Sequence, residues 1–424
     1  LSRPRLLFLS QTLPFPPDGG VKIRTYNVVK QLATAFDIVA LCFYRAKAAG
    51  FNQQVDAALV GLGEFARVEA FPIPQEHSRP RLLRDHVQSL LGARVYTAFA
   101  YRSPRFRARL VQLLHEERFD LAHADSLDLS DYFPLIEGVP VVCVHHDAQS
   151  VLLRRRADRY RTPWNRWYLS HQAELMRREE SWWCPRVALN VAVSETDQDA
   201  LKTVAPAGRF TVVPNGVDLE YFRPGDDGGA AKLVFVGGST WFPNLDAMRY
   251  LGDAILPLIR EAGGSPHVLW VGRATASERQ EFRRAYGIET TGYVDDVRPQ
   301  VQQASCYVVP IRVGGGTRIK ILDAWAMGKA VVSTSIGCEG LAAVDGDNIL
   351  IRDDPRGFAD AVARVLEDAP LRQALGRAGR STVERLYSWE RIGRRMVSDY
   401  MALVDSRSSG ASRTSSPALR SKLP

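Results

Sequence analysis

The chain has 424 residues, with 55 Lys and Arg against 47 Asp and Glu and a formal net charge of +8. That length allows two or three domains with separate cores, and 46% apolar with 24% charged residues is ordinary for a soluble globular protein. No run approaches the roughly 18 apolar residues of a membrane span, which excludes a bilayer-crossing helix, and LLFLS (6–10) is too short for a secretory segment.

Arg5–Ser10 reads as a short apolar strand. It leads into a proline-rich loop, then Gly19 and Gly20, then an amphipathic helix on which Ile23, Tyr26, Val29, Lys30 and Ala33 share helical spacing, with Leu32 and Phe36 completing the apolar face. Arg24 falls on the first turn of that helix. A strand over Asp37–Tyr44 completes a βαβ start, as in a doubly wound domain. Residues 51–118 alternate helical patterns with a strand near Val68–Ile73. Strands over Phe119–Asp125 and Val139–His146 follow, and the second runs into HHDAQS. A parallel strand delivers its C-terminal edge to a ligand crevice, so His146 and Asp147 are candidate site residues. Imidazole titrates near neutrality and can position or polarise a hydroxyl; the plainer alternative is a hydrogen-bonded strand-end histidine. His145 is one step out of phase and is expected to face the other side.

A helix rich in charge and tryptophan is expected over 163–184, then a strand over Val187–Val193 and a helix capped by Ser194 or Thr196. Val212–Val213 leaves into PNGVD, and Pro224–Gly229 reads as a linker. The pattern then starts over: strand Lys232–Gly238, helix Asn244–Glu261, strand His267–Gly272, and TTGYVDDV at 290–297.

The most informative stretch is Cys306–Leu341, CYVVPIRVGGGTRIKILDAWAMGKAVVSTSIGCEGL. A buried parallel strand (Cys306–Ile311) runs into Gly314, Gly315 and Gly316, which let the backbone turn and approach a ligand. Thr317 is the expected N-cap of a helix over Arg318–Met327, ended by Gly328, and a strand over Ala330–Thr334 follows. Strand, glycine turn and helix N-terminus together make an anion site, and Arg318 and Lys320 add positive charge beside it. Lys320 and Asp323 stand three apart, on one helical face. Neither a P-loop nor a G-x-G-x-x-G pattern is present.

Two arginine-rich stretches stand out. One holds Arg79, Arg81, Arg84, Arg94, Arg102, Arg105, Arg107 and Arg109. The other holds Arg154, Arg155, Arg156, Arg159, Arg161 and Arg166, interleaved with Trp164 and Trp167. The second suits an anionic membrane surface or an acceptor site. No nucleic-acid-binding motif accompanies either, so no nucleic-acid partner is expected. Cys42, Cys143, Cys184, Cys306 and Cys338 are scattered without a C-x-x-C and read as reduced core residues.

GGGTRIKILDAWAMGKAVVST…GCEGL resembles the donor-binding segment of the family 4 (group 1) glycosyltransferases. The resemblance recurs at SETDQDAL (194–201), VVPNGVDLEYF (212–222), FVGGSTWFPN (235–244) and YSWERI (387–392). It implies an α/β GT-B fold of two facing Rossmann-like domains. It implies an acceptor-binding domain over 1–210, a nucleotide-sugar-binding domain over 211–386, and a helix over 387–404 returning to the first domain. A tail over 405–424 is too polar to fold. Residues 355–385 resemble the family's paired amphipathic helices.

By resemblance, Gly19, Gly20, Arg24 and Asp147 line the acceptor side, with His146 beside them. Gly314, Gly315, Gly316, Thr317, Asp323, Gly238, Tyr293 and Val294 hold the donor. The family's arginine and lysine on the first glycine turn of the second domain are replaced here by Gly238, Ser239, Thr240 and Asn244, which shifts the phosphate role onto Arg318 and Lys320. Asp323 stands where the family's second glutamate grips the ribose, and Gly315 where the first would contact the sugar. Arg318, Lys320 and His146 are thus the expected catalytic residues.

The implied activity is retaining transfer of a sugar from a nucleotide-diphosphate donor to a lipid-linked or polysaccharide acceptor in bacterial surface polysaccharide biosynthesis. No metal and no other cofactor is expected. The expected place is the cytoplasm, peripheral on the inner face of the plasma membrane. The competing readings are a catalytically inactive nucleotide-sugar-binding partner and a GT-B sugar-nucleotide epimerase.

Overall fold

The computed structural model describes residues 3–45, 51–92, 94–160, 162–225 and 232–408. Its chain divides into two compact units, one of Leu1–Pro214 with Glu390–Pro424 and one of Asn215–Trp389.

In the first unit, the apolar runs condense into seven strands: β1 (Arg5–Ser10), β2 (Asp37–Tyr44), β3 (Arg67–Pro72), β4 (Leu121–Ala124), β5 (Val141–His145), β6 (Leu189–Ala192) and β7 (Phe210–Val212). They pair in parallel, in the order β3-β2-β1-β4-β5-β6-β7. β1 and β4 are buried almost throughout, as a parallel sheet covered on both faces requires. The chain adds strands outward from β1 in one direction, then returns to add β4 on the other side. The order therefore reverses between β1 and β4, and a crevice opens there at the C-terminal edge.

The second unit repeats the scheme with β8 (Lys232–Val236), β9 (His267–Val271), β10 (Glu289–Gly292), β11 (Cys306–Val309), β12 (Val331–Ser333) and β13 (Leu350–Ile351). The order β10-β9-β8-β11-β12-β13, again all parallel, puts its reversal between β8 and β11. Trp270, Tyr307, Trp325 and Phe235 are fully buried in its core.

Several expected boundaries move. β4 and β5 are shorter than 119–125 and 139–146, so Asp125 and His146 lie just beyond strand ends rather than in the ladder. The helix Gly20–Leu32 buries Arg24, Thr25, Val28, Val29 and Leu32, while Ile23 and Tyr26 are only half-buried. Val29, Leu32 and Phe36 are inside as expected, whereas at the start of the helix Arg24 and Thr25 take the inner positions because they find polar partners there. The expected cut at 210/211 passes through β7, which pairs with β6, and the division falls after Pro214 instead. Ser194, not Thr196, caps the Glu195–Val204 helix. The expected helix from Asn244 begins at Phe242 and passes through a π-turn (Leu251–Ile255) into Leu256–Glu261. Pro257 has no N–H for an α-helical bond, which accounts for the irregular turn.

The last helix spans Trp389–Ser408, beyond the expected end at Val404. Most of it belongs to the first unit, where Tyr400 Oη lies 2.9 Å from His123 Nδ1 and Arg407 donates to the Phe119 carbonyl at 3.3 Å. That last bond anchors the extra turn, so residues 405–408 are helical and not part of a tail. Residues 409–424, residues 226–229 of the expected linker, and Arg161 lie outside the described residues. Among the described residues no helix is long and apolar enough to cross a membrane.

Candidate functional site

In the second unit, β8 ends at Val236 and hands the chain to Gly237, while β11 ends at Val309 and leads into the Gly314–Gly316 loop. Both loops therefore open at the point where strand order reverses. The helix Ile319–Ala326 starts from the second loop, with Arg318 as its N-cap residue. Thr317 does not cap it, which corrects the expectation; its hydroxyl instead accepts from Asn215 Nδ2. Arg318 is buried and folds back over its own loop, where Nη1 donates to the carbonyls of Gly315 and Gly316. The side chain thus braces the glycine turn that the sequence expects to hold phosphate.

Lys320, the second residue of that helix, is half-buried, with Nζ 4.1 Å from the Phe235 ring centroid and donating to Asn244 Oδ1 at 2.6 Å. Asn244 in turn donates from Nδ2 to the Gly238 carbonyl at 2.9 Å. Gly237 makes this possible. At φ 149° it occupies a region that side chains rarely adopt, and a Cβ there lies 2.5 Å from Asn244 Nδ2 and 2.8 Å from Lys320 Nζ. Lys320 thus reaches from the β11 side over the turn that follows β8, with Asn244 as its seat.

Burial holds the Lys320 ammonium well below its ordinary pKa, and the neighbouring Arg318 charge adds to this. Asp323, on the same helix face, is pushed by burial up to about 8, against the attraction of Lys320. Both shifts bias this pair toward neutrality.

Along the same sheet edge, Gly272 bridges to Gly292 and Gly237 donates to the Val271 carbonyl at 2.8 Å. Tyr293 follows Gly292, half exposed, with the Arg273 guanidinium stacked 4.4 Å from its ring centroid. Val294 packs against the core. Two strand spacings, about 10 Å, separate this aromatic ledge from the Gly237 turn. That suits a base at one end and a diphosphate at the other. Gly238 lies beside Arg273, not against Lys320; the close approach belongs to Gly237, which the sequence reading passed over.

In the first unit the corresponding edge joins β1, β4 and β5. Asp125, just past β4, is buried, and its Oδ2 accepts from Thr25 Oγ1 at 2.6 Å and Ser10 Oγ at 3.1 Å. His146 Nε2 lies 2.8 Å from the Asp125 carbonyl oxygen and 3.5 Å from its Oδ1. A carbonyl can only accept, so Nε2 carries a proton in this contact, which leaves Nδ1 as the second ring nitrogen. His123 Nε2 is 3.7 Å from the same Oδ1, with its ring stacked on Phe8. Burial alone would raise the Asp125 pKa, but His146 foremost, with His123, outweighs it and holds the carboxyl below the usual range.

His145 is buried on the other side of the strand, 3.0 Å from Asn190 Oδ1, and burial pushes its pKa down to about 4. Asp147 is half-buried next to the Gln149–Arg159 helix, whose Ser150 amide and hydroxyl donate to Glu180 at 3.1 and 2.6 Å. Burial, helped by the Asp147 charge, raises Glu180 to about 7. Gly19 precedes the Gly20–Leu32 helix in extended backbone, and Gly20 begins it. Arg24 turns inward from that helix, donating to the Val213 carbonyl at 2.8 Å and the Pro214 carbonyl at 3.1 Å. Its guanidinium braces the end of the unit, whereas the sequence reading aims it at an acceptor. Among the described residues no group of three or more His, Cys, Asp or Glu is placed to hold a metal ion.

The profile described as Glycosyltransferase Family 4 matches residues 18–221, and that of Glycosyl transferases group 1 matches 230–368. The D-inositol 3-phosphate glycosyltransferase of Nocardioides sp. is 29% identical over 248 residues, covering 50% of this chain and 54% of that protein. The chain spans about half the length of the curated relatives it matches. Anabaena HepE, solved in complex with UDP-glucose, superposes with a TM-score of 0.64 at 15% identity over 94% of this chain and 99% of that one. Sucrose-phosphate synthase from Thermosynechococcus elongatus gives 0.68 at 16% over 95% and 100%. These structural likenesses establish the GT-B fold.

Proposed function

The chain belongs to the group 1, family 4 glycosyltransferases, and from that premise we propose that it is a retaining, nucleotide-sugar-dependent transferase acting on a lipid-linked or polysaccharide acceptor. The observation that carries the donor half is the Lys320–Asn244 contact over Gly237, at the reversal point of the second sheet. As the bond from the sugar to the diphosphate breaks, negative charge gathers on the leaving oxygen. Lys320, protonated when the diphosphate enters, and the amide end of the Ile319–Ala326 helix are aimed where that charge develops. Asp323, holding its proton up to about pH 8, offers both a donor and an acceptor to a ribose hydroxyl. The Tyr293 ledge suits the base.

On the acceptor side, His146 Nδ1, in the neutral ring, orients a hydroxyl and takes its proton. The Asp125 carboxylate then stabilises the imidazolium. Retention fits attack from the face the diphosphate leaves, which needs no carboxylate nucleophile. A cationic phosphate seat makes a divalent metal unnecessary in this reading. We place the reaction at the cytoplasmic face of a membrane in surface-polysaccharide assembly.

HepE was solved with UDP-glucose, which makes uridine nucleotides the first ligands to try. The test is calorimetry of the intact chain against UDP, GDP, ADP and their sugars, repeated with Lys320→Met. Preference for one diphosphate, lost in the variant, supports the reading. An intact protein that binds none of them removes the donor site.

A further inference from the structure

The helix Arg79–Leu91 is inverted on one face. It buries Asp85 and Ser89 and leaves Leu83 68% and Leu91 85% exposed. Asp85 accepts from Gln75 Nε2 at 2.9 Å, and Ser89 shares hydrogen bonds with Gln172 at 2.9 and 3.2 Å. The polar residues are therefore fully used within the fold, and Leu83, Val87 and Leu91 form an apolar row at i, i+4 and i+8 that nothing in the chain covers among the described residues. A row of this kind facing water is unfavourable and marks an interaction surface.

A second element extends the row. His86 pairs with Tyr168, and Ser89 with Gln172, so Arg79–Leu91 runs parallel to the Pro163–Trp183 helix. Stepping back one turn in that register sets Leu83 level with Trp164. Residues 162–167 are all exposed, with Trp164 at 62% and Trp167 at 51%, their ring centroids 4.9 Å apart. Arg79 and Arg166 flank these apolar groups, as does Arg84, whose guanidinium also reaches Asp85 Oδ1 at 3.4 Å. Over 79–92 and 162–167 the only carboxylate is the buried Asp85.

We propose that this face docks the first unit onto an anionic membrane surface. Tryptophan suits the headgroup boundary, with an apolar ring and a polar N–H. An apolar helix row edged by arginine suits a helix lying in the interface plane, where each basic residue is drawn to anionic headgroups. A protein partner is less well matched, since the face is dominated by cations and apolar groups and offers no exposed carboxylate to fix register.

The inference extends the lipid-linked acceptor reading, but vesicle binding is scored without sugar transfer, so each can fail alone. The experiment is flotation of the full chain with vesicles of phosphatidylcholine alone or mixed with phosphatidylglycerol, following tryptophan emission. The protein should bind the mixed vesicles, shift its emission to the blue, and detach as salt is raised. Trp164→Ala with Trp167→Ala, and separately Leu83→Glu with Leu91→Glu, should each weaken binding by about tenfold or more. Unchanged melting of each variant shows that the fold survives. Failure of the intact protein to bind mixed vesicles, equal binding to neutral ones, or equal binding by folded variants overturns the proposal. So does self-association without lipid that the substitutions abolish, which assigns the face to a second copy.

Discussion

Lys320→Met separates binding from folding. Methionine keeps the unbranched stem against Phe235 and removes only the cation. In the free protein that cation is half-buried over an aromatic ring and held below its ordinary pKa by burial, so its loss relieves desolvation. Asp323 is not left as an orphan charge, because its pKa near 8 keeps it protonated at neutral pH. Asn244 retains its bond to the Gly238 carbonyl. Melting temperature is therefore expected to stay level or rise.

Ligand binding should respond in the opposite sense. A charge-assisted hydrogen bond to phosphate contributes about 1.5–3 kcal/mol, so diphosphate affinity should fall roughly tenfold to 150-fold. Calorimetry at fixed pH and salt measures this, and in buffers of different ionisation enthalpy the intact protein should take up protons on binding while the variant does not. Affinity unchanged within about twofold, or a melting loss of many degrees with affinity intact, would refute the reasoning.

Gly237→Ala should act on the same site from the other side. The strained backbone costs about 1–3 kcal/mol, and the new Cβ displaces Lys320 and Asn244, so diphosphate affinity should drop together with a modest loss in melting temperature. Asp125→Asn replaces an acceptor-only group with one that presents an amide to Ser10 and Thr25. It should destabilise the first unit by about 1–3 kcal/mol in denaturant titration and lower turnover more than donor affinity. Glu180 is raised to about 7, so the folded state holds a proton that the unfolded chain has released above about pH 4.5. Stability should fall as pH rises through that window, by up to roughly 3 kcal/mol, and Glu180→Gln should flatten the profile. Treatment with EDTA should leave donor turnover unchanged, and activity restored only by an added divalent ion would contradict a cation-based phosphate seat.

Much of the fold was legible because parallel strands buried on both faces read as continuous apolar runs, as at Asp37–Tyr44. Glycine turns marked the sheet edge at 314–316. Local helical spacing was enough to put Lys320 and Asp323 on one face. The contacts that define the donor seat join residues far apart in sequence, however. Asn244 reaches Lys320 across 76 positions, and nothing near Asn244 in the sequence announces a lysine. Asp125 read as an ordinary strand end, since its partners Thr25 and Ser10 lie on separate elements. Arg24 and Arg318 looked aimed at ligands because charge on a first turn usually faces solvent; here backbone carbonyls claim both. The inverted Arg79–Leu91 helix was hidden for a related reason. Helical periodicity shows which residues share a face, but not which face is buried.

The central claim is that a nucleotide-sugar held by the second unit is turned over and its sugar transferred. The direct measurement is release of nucleoside diphosphate from labelled nucleotide-sugars incubated with the protein and a bacterial lipid extract, while following label into the extract. We predict that one donor loses its sugar to an acceptor with matching diphosphate release, and that Lys320→Met abolishes both. A protein that binds the donor with full affinity yet releases no diphosphate under any acceptor condition would contradict the account and identify it as a binding partner without catalysis.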